Sequence, residues 1–135
     1  MITVKIRTED DIVVARSEAR RIAGELGLSL MDKTRVATAV SELARNIFTY
    51  AGEGEVIIES LSAPQVGIRC LFIDNGPGID DIELHMQDGF STGKSLGYGL
   101  PGARRLSDSF SIDSEPGKGT RIEIIKWKSA ATANA

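Results

Sequence analysis

A chain of 135 residues, 41% hydrophobic and 26% charged, has the length and composition of one soluble domain, able to bury roughly two-thirds of its unfolded surface without disulfide or structural metal. Its single cysteine and single histidine exclude an internal disulfide, a thiol redox pair and a zinc site of the usual Cys/His type, and no apolar run approaches the roughly 20 residues that span a bilayer. Sixteen Lys and Arg against nineteen Asp and Glu leave a net charge of −3, which argues against nucleic acid as the main partner; with no spanning run, membrane insertion is excluded as well.

In chain order, Ile2, Val4 and Ile6 alternate with Thr3, Lys5 and Arg7, the period of a half-buried strand. The opening residues lack the long apolar stretch of a secretory signal, so a cytoplasmic location is expected. From Glu9 to Leu26 the apolar set Ile12, Ala15, Ala19, Ile22, Ala23 and Leu26 recurs at three- and four-residue steps, with acidic residues in the first turn and Gly27 at the end, which predicts an amphipathic helix. Ser29 followed by Asp32 resembles a capping box, and Val36, Val40, Leu43 and Ile47 line a second helix predicted to end near Gly52. Glu55–Leu61 and Val66–Ile73 are β-branched runs joined by Ser62-Ala63-Pro64-Gln65, an antiparallel hairpin.

Fourteen glycines exceed the norm of about 7%, and seven of them lie between Gly76 and Gly102. This stretch is predicted to be a long loop with a short helix near Ile82–Met86, followed by a helix over Leu100–Leu106 opened by Pro101. Ser109–Glu115 and Thr120–Trp127 alternate as strands around Pro116-Gly117-Lys118-Gly119. The order β-α-α-β-β-loop-α-β-β predicts an α+β two-layer sandwich: one mixed, mostly antiparallel sheet with helices on one face. A single domain over 1–128 is expected, with a frayed tail over 129–135.

Two phosphate-binding patterns fail on context. Gly93-Lys94-Ser95 imitates the end of a P-loop, but Asp88 stands where the first glycine belongs and no apolar strand leads into it; Gly97-Tyr98-Gly99-Leu100-Pro101-Gly102 has Rossmann spacing but no βαβ unit around it. Closely spaced glycines leading into a helix still expose N–H groups able to hold phosphate oxygens. Glu42 and Asn46, four residues apart, share one face of the second helix; a carboxylate there can take a proton from a hydroxyl, and an amide oxygen can ligate Mg²⁺ beside substrate phosphates. Asp74-Asn75-Gly76-Pro77-Gly78 ends a strand with a carboxylate able to accept from an exocyclic amine, and two glycines let backbone approach a flat ring. Gly117-Lys118-Gly119-Thr120 places a hydroxyl at a strand start. Singly, each of these reads as well as a solvated helix face or an ordinary turn.

Together and in this order, Glu42-Leu43-Ala44-Arg45-Asn46, Asp74-Asn75-Gly76-Pro77-Gly78, Gly97-Tyr98-Gly99-Leu100 and Gly117-Lys118-Gly119-Thr120 resemble the N, G1, G2 and G3 boxes of the GHKL ATPase/kinase superfamily. The resemblance covers nearly the whole chain and implies a Bergerat-type sandwich using ATP and Mg²⁺. By similarity, Glu42 is the general base, Asn46 the Mg²⁺ ligand and Asp74 the partner of the adenine amine. Gly76 and Gly78 would line the adenine pocket with Thr120 near the base, and Gly97 and Gly99 would meet the phosphates with Leu100 beside them. Asp80–Leu96 would form the ATP lid, holding Gly93 and placing Lys94 on the γ-phosphate.

A histidine kinase needs a phosphoacceptor His on a helix, whereas His85, the single histidine, falls in that lid. The free-standing domain therefore resembles the small serine kinases of switch-protein and anti-sigma type. Asn46-Ile47-Phe48-Thr49-Tyr50-Ala51-Gly52 is similar to the switch kinases of the stressosome, where anti-sigma kinases usually carry a His after the N box. That resemblance implies a protein serine/threonine kinase acting on STAS-domain proteins of a bacterial stress-signalling scaffold, and activating a phosphatase by binding. The alternatives are an anti-sigma kinase that binds a sigma factor and phosphorylates its antagonist, and a docking module without catalysis.

Overall fold

The computed structural model describes residues 1–86 and 99–129. Strand β1 (Ile2–Ile6) leads into α1 (Glu9–Glu25) and α2 (Leu30–Asn46); β2 (Gly54–Leu61) and β3 (Gly67–Asp74) follow, then α3 (Ile82–His85), α4 (Leu100–Arg105), β4 (Ser109–Ser114) and β5 (Thr120–Trp127). The five strands form one sheet in the order β1-β2-β3-β5-β4. Among the described residues every pairing is antiparallel, with none of the parallel pairs that a mixed sheet allows.

Helix α1 starts where the Asp11 carboxylate accepts the N–H groups of Arg7 (2.9 Å) and Thr8 (3.0 Å). These bonds hold the carboxyl below its usual pKa. At α2 the Ser29 hydroxyl accepts from Asp32 N–H at 3.1 Å, half of the capping box expected there. The buried Asp32 carboxylate turns instead to Arg35 (2.8 Å) and Lys126 (3.6 Å), and Lys126 also reaches Asp108 (3.1 Å). The start of α2 is thereby tied to the end of β5.

Strand alternation sorts the sheet. Val4, Val56, Ile58, Cys70, Phe72, Ile122 and Ile124 share the face that carries the helices, and they are buried with Ile12, Ala15, Ala19, Val36, Val40 and Leu43 in one core. The small residues Ala15, Ala19 and Ala23 are fully buried, which lets α1 and α2 lie close on the sheet. Cys70 belongs to this core, and burial pushes its thiol up to about 12. On the opposite face Arg69 bridges Glu123 and Glu59 across three adjacent strands.

The second helix does not continue regularly to Gly52. It gives way after Asn46 to a π-helical turn, Ile47–Ala51, that stops at Gly52 with φ 85°. Such widened turns are frequent at functional sites, and this one stands at the end of the sheet where β3 and the start of β5 meet.

Candidate functional site

A cleft opens there between α2 and the sheet. Its walls are Leu43, Asn46, Ile47 and Tyr50 from α2 and its π-turn, Phe72 and Asp74 from β3, Pro77, Gly78 and Ile79 from the loop that follows, and Thr120 and Ile122 from β5. Most of this lining is apolar, with a few polar groups at one end, the usual make-up of a small-molecule site.

The polar end is built by strand register. Asp74 and Thr120 are paired residues of β3 and β5, two positions beyond the buried pair Phe72 and Ile122, so both side chains emerge on the helix-bearing face just past the core. Burial raises the Asp74 pKa, opposed by hydrogen bonds from the N–H groups of Gly76 and Thr120. The Gly76 bond measures 2.9 Å. Gly76 therefore holds the carboxylate, and it is Gly78, not Gly76, that reaches the cleft wall.

The loop after β3 is clamped onto the β4–β5 hairpin. Gly117 N–H donates to Pro77 C=O at 2.6 Å. Gly78 (φ 76°) and Gly119 (φ 80°) sit in the left-handed region, and a Cβ would lie 2.1 Å from the Glu115 carbonyl oxygen at the first and 2.2 Å from that of Asp74 at the second. No other residue fits at either position.

Asn46 and Glu42 stand one turn apart on α2, as their spacing requires. Asn46 is half-buried and faces the cleft, while Glu42 is exposed. Gly99, in the left-handed region at φ 68°, begins α4 so close to Glu42 that a Cβ would be 2.9 Å from Oε2. The carboxylate thus lies against the start of α4. Leu100 is fully buried in the core. Its side chain is a structural anchor for α4. Gly93, Lys94 and Gly97, and most of the expected lid, lie outside the described residues.

Tyr50, Ile79 and Ser114 belong to the site region without having been singled out from sequence. Ile79 directly follows the Asp74–Gly78 motif, and Tyr50 lies within the stretch predicted as the second helix. Ser114 left a signal: it follows Phe110 and Ile112 at period two, a hydroxyl on an otherwise apolar, inward-facing row.

Residues 31–130 match the family model described as histidine kinase-, DNA gyrase B-, and HSP90-like ATPase. The chain belongs to this ATPase family. It is 51% identical over 125 residues to the serine/threonine-protein kinase RsbT of Bacillus subtilis (strain 168), covering 92% of this chain and 94% of that protein. It is also 31% identical over 118 residues to an anti-sigma F factor of Thermoanaerobacter sp. (strain X514), covering 84% and 82%. Among solved structures, the catalytic domain of the histidine kinase ThkA aligns over 95% of this chain and 97% of its own at a TM-score of 0.54 and 18% identity. A mycobacterial sensor histidine kinase, MprB, aligns over 93% and 96% at 0.55 and 17%. At that identity the likeness concerns the fold, and it agrees with the two-layer sandwich.

Among the described residues no helix is long and apolar enough to cross a membrane. Among them, too, no three His, Cys, Asp or Glu side chains gather as a metal cage. Asn46 lines the cleft, and an amide oxygen is the type of donor a hard cation takes when water and substrate phosphate supply most of its shell.

Proposed function

We propose that this protein is an Mg²⁺-ATP-dependent protein serine/threonine kinase that phosphorylates STAS-domain proteins of a bacterial stress-signalling scaffold and, by binding, activates a phosphatase. The observation that carries the reading is one cleft in which Asp74 and Thr120 close an apolar slot lined on the α2 side by Asn46, with Glu42 one turn before it on the same helix. The 51% identity to a serine/threonine-protein kinase over nearly the full length of both chains supports the choice among the chemistries the family performs.

In this reading the adenine ring lies between Ile79 and Ile122, with its amine on the Asp74 carboxylate and the phosphates leading toward Asn46. Bound Mg²⁺, held by the Asn46 amide oxygen, would neutralise charge on the phosphates. Glu42 takes the proton from the substrate serine or threonine as that oxygen bonds to the γ-phosphorus and the bond to the β-phosphate oxygen breaks, releasing ADP. Phosphoryl transfer of this kind asks mainly for positioning and charge stabilisation, and proton removal by a placed carboxylate contributes about 10²- to 10⁴-fold. Gly93 and Lys94 would lie in the lid, with Lys94 on the γ-phosphate, and Gly97 and Gly99 would meet the phosphates through their N–H groups.

The anti-sigma relatives favour a second reading, a kinase that also sequesters a sigma factor. Co-purification of a sigma subunit would support it. Calorimetry with ATP and Mg²⁺ tests both kinase readings at once: saturable binding is expected, and none at millimolar nucleotide would leave only a docking role.

A further inference from the structure

Ser114 sits at the end of β4, outside every residue assigned above to nucleotide or metal. Its hydroxyl stands at a junction of three segments. Ile79 N–H, from the loop that walls the cleft, donates to Oγ at 2.8 Å. Oγ donates to the Gly119 carbonyl at 2.9 Å. The Thr120 hydroxyl lies 2.8 Å away.

A serine hydroxyl has one proton and two lone pairs. The Gly119 carbonyl can only accept, so the Ser114 proton is committed there, and one lone pair is committed to Ile79. The remaining contact then has one solution: the Thr120 hydroxyl gives its proton to Ser114. With that proton spent, Thr120 Oγ1 faces the cleft as an acceptor. Beside it Asp74, already fed by the N–H groups of Gly76 and Thr120, likewise offers lone pairs.

We infer that Ser114 is a specificity-determining positioning residue: by fixing the proton of Thr120 it turns the polar end of the cleft into a pair of acceptors that admits a base carrying an exocyclic amine and rejects one carrying a keto oxygen there. An amine brings two N–H groups to two acceptors. A keto oxygen brings only lone pairs and leaves buried polar groups unpaired, the arrangement that discriminates most strongly between related ligands. Ser114 touches no ligand and acts through Thr120. It also ties the Ile79 wall to the hairpin, so the same hydroxyl sets the slot's width. This inference rests on the adenine-nucleotide reading of the cleft.

The test is calorimetry of ATP and of GTP, each with Mg²⁺, on the wild-type chain and on Ser114→Ala, with a thermal melt of every variant. The wild type should prefer ATP, and Ser114→Ala should shrink the ATP-over-GTP ratio by about three- to tenfold, the range of one misdirected hydrogen bond. Ser114→Cys leaves no void but is a poor donor and acceptor, and it should shrink the ratio likewise even if the alanine variant does not fold. Ser114→Thr should restore it. In a Thr120→Val background, adding Ser114→Ala should change the ratio no further. A ratio unchanged in both the alanine and cysteine variants, or equal losses for ATP and GTP, would overturn the role of Ser114 while leaving the kinase reading intact. A wild-type chain that binds neither nucleotide would remove the kinase reading and this inference with it.

Discussion

Asp74 ends β3 with its carboxylate half-buried, and burial raises its pKa against the N–H groups of Gly76 and Thr120. Between the unfolded value near 3.8 and the raised one, the folded chain holds more protons than the unfolded chain, so stability falls as pH rises through that window and stays lower above it. An amide at this position carries no charge to desolvate. Asp74→Asn should therefore melt no lower than wild type at neutral pH, the two curves converging below the window, while ATP affinity falls about ten- to a hundredfold through loss of a charged hydrogen bond. Melts across pH beside calorimetry check both halves. A variant that loses stability and keeps affinity would make Asp74 a structural residue. The strand-end carboxylate was legible because Leu71, Phe72 and Ile73 lead straight into a charge followed by two glycines. Ser114 was not: a serine at a strand end is ordinary until the backbone of the loop after β3 and that of the β4–β5 hairpin are brought against it.

At the scale of elements, period-two and period-three-to-four patterns sufficed wherever one face is buried, so β1, α1 and β5 begin and end within a residue or so of expectation. The π-turn escaped because Ile47-Phe48-Thr49-Tyr50 keeps apolar residues at helical spacing, and period alone does not separate a widened turn from a regular one. Sheet order was equally hidden. Pairing of β3 with β5 is set across more than forty residues, and no local signal records it. That pairing makes the site, since it brings Asp74 to Thr120 and stacks the loop after β3 on the hairpin turn at Gly119. Gly119→Ala should cost about 1–3 kcal/mol for backbone strain alone and weaken ATP binding with it, because its Cβ would drive the Asp74 carbonyl away. Denaturant unfolding measures the first effect, and an unchanged midpoint would show that this contact is soft.

As a whole molecule, the sandwich has a core of helices on sheet and a working end where the chain stops being regular: a π-turn, the left-handed Gly78 and Gly119, and a helix start at left-handed Gly99 pressed against Glu42. The motif residues Asn46, Asp74, Gly78 and Thr120 were visible in the sequence, but their convergence on one cleft is a property of the fold. The central claim is that this end transfers a phosphoryl group through Asn46 and Glu42 to a protein hydroxyl. Incubation of the chain with γ-labelled ATP, Mg²⁺ and a STAS-domain protein tests it most directly. Label should pass to a serine or threonine of that protein with the wild-type chain and be abolished by Asn46→Ala, while the variant keeps its melting temperature. Transfer by Asn46→Ala at the wild-type rate would contradict the account.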